Sequence, residues 1–165
     1  MSAFYGSLGE KFRRDRNELA AHLHSSAFAH QTIVFTNGVF DLLHSGHVTY
    51  LNRARDLGHA LVMGVNSDAS VRRLNKGPER PLNALADRML VLAGLACVDY
   101  LVAFEEDTPV ETLEILRPQI HCKGGDYRPE DLPETATVEG YGGRVVVLPF
   151  VPGYSTTDLV KRMQQ

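Results

Sequence analysis

Short apolar runs alternate with amphipathic stretches through most of the chain, and the two periods predict strands and helices in turn. Residues 32–36 (TIVFT) form a compact, β-branched run, read as the first strand. Residues 46–57 carry Val48, Leu51, Ala54 and Leu57 on one helical face, with Gly58 as the stop. Residues 60–66 (ALVMGVN) are the second strand, and a short helix over 68–75 leads into the polar loop KGPERP. Asn83 is placed to cap a helix bearing Leu85, Met89, Leu92 and Ala96, ahead of a third strand at 100–104. Thr108-Pro109-Val110-Glu111 is a helix start, with Thr at the N-cap, Pro first in the helix and Glu three past the cap. That helix stops before Pro118. A fourth strand covers 119–122, and a helix over about 129–141 ends at Gly142-Gly143. A fifth strand covers 144–150 (RVVVLPF), and Ser155 caps a final helix to about residue 163.

Strands that are apolar almost throughout are buried on both faces. The expected fold is therefore α/β: a single Rossmann-like domain, with a five-stranded parallel sheet and helices on both faces. Residues 1–28 differ. Phe12, Leu19, Ala20 and Leu23 fall at spacings compatible with one amphipathic helix, so 1–28 is read as an N-terminal helical extension and 29–165 as the main domain. The extension packs on that domain or on a partner subunit, which makes a homo-oligomer one expectation. The basic run from Lys11 to Arg16 reads as a solvated helix face.

Composition changes this picture little. At 165 residues, 44% hydrophobic and 22% charged, the chain suits one ordinary core. A net charge of −3 points away from nucleic acid as a partner. Cys97 and Cys122 are far apart and read as buried, reduced thiols. No apolar run approaches the ~18 residues of a membrane span. The N-terminus lacks the apolar core of a signal peptide, and a cytoplasmic location is expected.

The polar and glycine-rich segments all follow strands: 37–47, 66–68, 105–107, 123–127 and 152–157. They therefore gather at the carboxyl edge of the sheet, where open α/β sheets bind ligands. Asn37-Gly38 permits a tight turn and close approach of backbone to a ligand. Gly46 opens a helix whose first N–H groups favour anions, and His44 and His47, three apart, flank that start. Two imidazoles beside backbone donors suit phosphate; the alternatives are capping or surface histidines, or zinc, for which no third ligand lies near in sequence. Ser155, Thr156 and Thr157 open another helix, where hydroxyls cap, bind phosphate, or both. Lys123 follows a buried strand and precedes Gly124 and Gly125, so it reads either as a cleft lysine or as a solvated turn residue. There is no GxxxxGK[ST] and no GxGxxG after the first strand, which argues against a Walker loop and a dinucleotide oxidoreductase.

Thr36-Asn37-Gly38-Val39-Phe40-Asp41 running into His44-Ser45-Gly46-His47 resembles the motif of the cytidylyltransferase-like nucleotidyltransferases. The resemblance is closer still to one branch, the adenylyltransferase domain that makes ADP-heptose from D-glycero-β-D-manno-heptose 1-phosphate. VNSDASVRRL (65–74), RPLN (80–83), FEEDTP (104–109), KGGDY (123–127) and STT (155–157) carry it, in one register from about residue 33 onward. In many bacteria this domain follows a sugar kinase domain; none precedes it here, so the stand-alone form is expected. The resemblance implies that residues 29–165 transfer AMP from ATP to the heptose 1-phosphate, releasing pyrophosphate, for lipopolysaccharide core synthesis in a Gram-negative bacterium.

The roles it implies are these. His44 and His47 stabilise charge on the transferring phosphate and the leaving pyrophosphate, and Lys123 neutralises phosphate charge nearby. Thr36, Asn37, Gly38, Phe40, Gly46 and Gly125 line the nucleotide, and Ser155, Thr156 and Thr157 hold its triphosphate. Asp41 orients the loop or a Mg²⁺ hydration shell, and Asp126 lies near nucleotide or metal. Arg80 and Arg88 are further phosphate candidates. Mg²⁺ is expected to be held mainly by ATP, without a dedicated protein metal site. A CTP-dependent transferase acting on glycerol 3-phosphate or a phosphorylated amino alcohol is the nearest alternative. A non-catalytic nucleotide sensor is the rival from another class.

Overall fold

A computed structural model describes residues 6–13, 15–74, 77, 79–149 and 153. Its strands are β1 (Phe12–Arg13), β2 (Ile33–Gly38), β3 (Ala60–Asn66), β4 (Tyr100–Phe104), β5 (Ile120–Gly124) and β6 (Arg144–Leu148). Its helices are α1 (Arg16–Leu23), α2 (Ser45–Arg55), α3 (Asp68–Arg73), α4 (Leu85–Ala93), α5 (Val110–Leu116) and α6 (Thr135–Gly140). All six strands join one parallel sheet in the order β1-β4-β3-β2-β5-β6. The chain builds outward from β2 to β3 and β4, then crosses back to β5 and β6. The order reverses between β2 and β5, which is where such a sheet opens a crevice.

Side-chain parity divides the core into two layers. Val34, Leu61, Met63, Val65, Leu101, Ile120 and Cys122 face α2 and α4, where Leu51, Ala54, Leu92 and Ala93 complete one buried cluster. Ile33, Phe35, Ala60, Val62 and Val102 face the other way and meet Leu19, Ala20, Leu23, Leu113, Leu116 and Val138 of α1, α5 and α6. The continuous apolar strands of the sequence are thus two alternating faces, each covered by helices.

The sheet has six strands where five were expected. The additional one, β1, is two residues long and pairs with the edge of β4, Phe12 beside Leu101 and Arg13 beside Val102. Two residues carry no readable period, and Phe12, placed on a helix by spacing, belongs to this strand. The basic run is likewise not a solvated helix face. Lys11 Nζ donates to the Leu95 carbonyl at 2.9 Å, and the Arg13 guanidinium lies 5.1 Å from the Tyr100 ring centroid. Arg16 meets Glu106 at 2.9 Å, Glu111 at 3.2 Å and the Thr112 hydroxyl at 3.1 Å. Helix α1 begins only at Arg16, capped by Asp15, whose carboxylate accepts from the Asn17 and Glu18 N–H groups.

Other boundaries shifted for local reasons. Asn83 does not cap α4; Ala84 holds that position, and the Asn83 amide donates instead to the Asp41 carbonyl at 2.6 Å. The cap of α5 is Pro109 rather than Thr108. The helix expected over 129–141 is a 3-10 turn at Pro129–Asp131 followed by α6, with Leu132 extended between them. Leu132 precedes Pro133, and a residue before proline is pushed out of the helical region. The last strand, expected to run to Phe150, ends at Leu148 ahead of Pro149; Phe150 and the final helix expected from Ser155 lie outside the described residues.

Gly58 follows α2 at the point where the chain turns back toward β3. A Cβ there would sit 2.5 Å from the Thr32 carbonyl oxygen and 2.7 Å from Val34 Cγ2. The carbonyl is backbone and cannot rotate away. Gly58→Ala is expected to destabilise the fold by ~1–3 kcal/mol, read as a lower urea midpoint at unchanged slope.

Candidate active site

The first loop turns tightly at its start. A Cβ on Gly38 would come within 2.9 Å of the Phe40 ring, and Phe40 itself adopts a left-handed backbone at φ 50°. The ring folded back over Gly38 also meets His47 edge-on, with centroids 5.4 Å apart. Asp41 is buried, and its carboxylate accepts from the Leu82 and Asn83 N–H groups, both at 2.9 Å, and pairs with Arg80. Both Asp41 oxygens are thereby engaged, and the 80–83 loop is fastened to the loop after β2.

His44 is the N-cap of α2, and its Nδ1 accepts from the His47 N–H at 3.3 Å. In a neutral ring the proton then sits on Nε2, as a donor. Gly46, in the first turn, is buried. The two imidazoles stack with centroids 3.8 Å apart and planes 22° from parallel. Burial lowers the pKa of His44; burial and then the neighbouring His44 push His47 down to about 4. Both rings are neutral near pH 7 in the free protein, so what they offer an anion is hydrogen bonds rather than charge.

Parity and register bring β5 into the same site. Phe35 pairs with His121 across β2 and β5, so Asn37 and Lys123, two residues further on, meet at the strand ends. Lys123 Nζ lies 3.1 Å from Asn37 Oδ1 and 2.6 Å from the carboxylate of Glu134. Buried His121 reaches the same Glu134 oxygen at 3.3 Å. Burial alone would raise the Glu134 carboxyl; the His121 and Lys123 hydrogen bonds and the lysine's charge overcome it and bring the pKa to about 2. Lys123 is therefore neither a solvated turn residue nor an uncompensated cation.

On the opposite face, the Thr36 hydroxyl and the Tyr50 hydroxyl are 2.7 Å apart, and Tyr50 donates to the Cys122 carbonyl at 3.0 Å. Tyr50 thus ties α2 to β2 and β5. The fit is close, since a Cβ on Gly124 would stand 3.2 Å from its ring. Gly125 is buried with φ 144°, and Asp126 is exposed beyond it.

Arg88 is where the structure departs most from the reading of candidate phosphate contacts. It is 2% exposed. Its guanidinium donates to the carbonyls of Asn83 (3.0 Å), Val39 (2.7 Å) and Asn66 (2.8 Å), and to Asp68 (2.7 Å). These groups close the ends of β2 and β3 from beneath. Arg88 is a tie between loops, with its charge paired inside the protein.

The Cytidylyltransferase-like family matches residues 35–162, a span that holds the histidine pair and Lys123. The chain belongs to this family. It is 56% identical over 133 residues to the D-beta-D-heptose 1-phosphate adenylyltransferase of Bordetella bronchiseptica, covering 81% of this chain and 82% of that one. It is equally similar, at 56% over 133 residues, to the bifunctional protein HldE of Syntrophotalea carbinolica, of which it spans 27%. The chain thus spans about a quarter of that bifunctional relative. Among solved structures, the lipopolysaccharide core biosynthesis protein from Thermoplasma volcanium is similar with a TM-score of 0.62 at 26% identity, over 73% of this chain and 97% of that one.

In this cytidylyltransferase-like chain, Ser155, Thr156 and Thr157 lie outside the described residues. Three residues were not singled out from sequence. Tyr50 stands on a helix whose pattern explains it as packing. His121 lies within an apolar strand, and Glu134 falls in the helix expected over 129–141, where an acidic residue reads as solvated. Only the parity of 121 with 123 hinted that His121 shares a face with the lysine. The neutral, partly buried His44 and His47 carry a pH consequence. Their pKa values are depressed on folding, so between about pH 6.5 and 4 the unfolded chain binds more protons. Stability therefore falls as pH drops through that window, and Glu134 extends the fall from about 4.5 toward 2. The urea midpoint is expected to decline between pH 6.5 and 4, and His47→Gln is expected to flatten part of that decline.

Proposed function

We propose that this chain transfers AMP from ATP to D-glycero-β-D-manno-heptose 1-phosphate, giving ADP-heptose and pyrophosphate. The observation that carries the reading is the meeting of Lys123 with Asn37 at 3.1 Å. It joins the KGG loop to the loop that opens the His44–His47 helix, at the point where strand order reverses. The heptose 1-phosphate adenylyltransferase relative, similar over most of both chains, supplies the choice of substrates. The reading carries a cytoplasmic location with it, because ATP is the donor. It also carries residues 29–165 as the nucleotidyltransferase domain.

The acceptor phosphate needs no general base. Its second pKa is about 6, so it is largely dianionic at pH 7. One of its oxygens bonds to the α-phosphorus as the α–β anhydride bond breaks and pyrophosphate leaves with the electron pair. The protein's part is alignment and donors for the developing charge. His44 gives Nε2–H, His47 a second imidazole, α2 its helix start and Lys123 an aimed N–H. In this reading Phe40 and Gly38 shape the nucleotide side, and Asp126 stands at the rim.

Because the imidazoles are neutral and Lys123 is paired, these groups carry less positive charge than their types imply. Among the described residues, no three His, Cys, Asp or Glu side chains gather to hold a metal ion, and Asp41 has both oxygens engaged. Mg²⁺ in this reading is part of the nucleotide substrate. A pyrophosphate-release screen should cross four nucleoside triphosphates with a panel of sugar and polyol phosphates. Turnover is expected with ATP and the heptose 1-phosphate; a preference for CTP with glycerol 3-phosphate would overturn the assignment.

A further inference from the structure

Glu134 occupies the N-cap of α6, where a carboxylate ordinarily bonds the first N–H groups of the helix. Its side chain makes no such bond. It turns inward, is 2% exposed, and receives Lys123 at 2.6 Å and His121 at 3.3 Å on one oxygen. A buried carboxylate diverted from its cap is held by what it meets. The neutral His121 ring gives it a hydrogen bond, while Lys123 gives it a charge.

The consequence falls on Lys123. A lysine side chain is a flexible four-carbon stem with three N–H donors. Two are occupied here, one by Glu134 and one by Asn37 at 3.1 Å. The stem is thereby fixed at the joint ends of β2 and β5, and a single N–H is left to a ligand. Asn37 and Lys123 lie on the α6 side of the sheet, so α6 is the element positioned to hold them.

We infer that Glu134 is a positioning residue for nucleotidyl transfer: it fixes Lys123 against Asn37 so that the remaining ammonium N–H meets the phosphates, and it acts through Lys123. The inference rests on the proposed function for the reaction it serves. A purely structural Glu134 would matter whether or not residue 123 is a lysine, and that difference decides the test.

Lys123→Met and Glu134→Gln are made singly and together, and each protein is measured for pyrophosphate release, ATP affinity by calorimetry, and melting. Each single variant is expected to lose about 10–100-fold in kcat/KM, the scale of a misplaced group. The double variant is expected to match Lys123→Met within about twofold, and to melt above Glu134→Gln because no lysine charge is then left without its carboxylate. Losses that multiply in the double variant would overturn the inference. Should Glu134→Gln fail to melt cooperatively, Glu134→Asp replaces it in the cycle. It is expected to cost rate beside Lys123 and none in the Lys123→Met background. A wild-type chain inactive with every substrate pair would count against nucleotidyl transfer itself. The ATP-affinity cycle, which needs no turnover, then decides the role of Glu134 by the same non-additivity.

Discussion

Replacing His47 by alanine is expected to lower turnover ~10²–10³-fold, the usual cost of removing one preorganised donor at a developing charge. The fold should survive. His47 is only partly buried, and its Nδ1 has no hydrogen-bond partner among the described residues, so deletion removes an unpaired polar atom along with the ring. The ring's contacts are the stacked His44 and the edge of Phe40, both able to remain without it. Pyrophosphate release and thermal melting on the same preparation separate the two effects. Because the pKa of free His47 is about 4, the ring works as a neutral donor or takes a proton only when the anion arrives. Near-normal pyrophosphate release by His47→Ala would remove it from the mechanism.

Arg88→Met is expected to do the opposite, acting first on stability. Four acceptors close around the guanidinium, three of them main-chain carbonyls at the ends of β2, β3 and the 80–83 loop. Taking away one partner of a buried charge network typically costs ~3–5 kcal/mol. For a chain of this size that lowers the melting temperature by roughly 10 °C or more. Saturating ATP should restore part of the loss, since a ligand that binds only the folded state stabilises it. A variant with unchanged melting but lost turnover would instead put Arg88 in contact with substrate.

The two substitutions show how residue type misleads when burial is unknown. By residue type, Arg88 and Lys123 read as phosphate contacts and His44 and His47 as stabilisers of developing charge. In the fold, Arg88 is consumed by carbonyls, the histidines are held neutral, and Lys123 is offset by Glu134. Burial depresses an imidazole, and a buried carboxylate fixes a lysine; neither is written in local sequence. What remains for an anion is a set of aimed N–H groups. That arrangement suits a substrate that brings its own metal ion.

Periodicity and punctuation determined the strands β2 to β6, most helices, the parallel sheet and the gathering of polar loops at its carboxyl edge. Apolar runs must be buried, and Gly, Pro and polar residues end them, so these features are local. The motif around His44 and His47 determined the start of α2 for the same reason. Tertiary structure alone decided that a two-residue strand extends the sheet at β4, that Asp41 and Arg88 tie loops together, and that Glu134 meets Lys123. Each of those depends on groups distant in sequence being desolvated together, and the energy of a buried charge is set by what surrounds it.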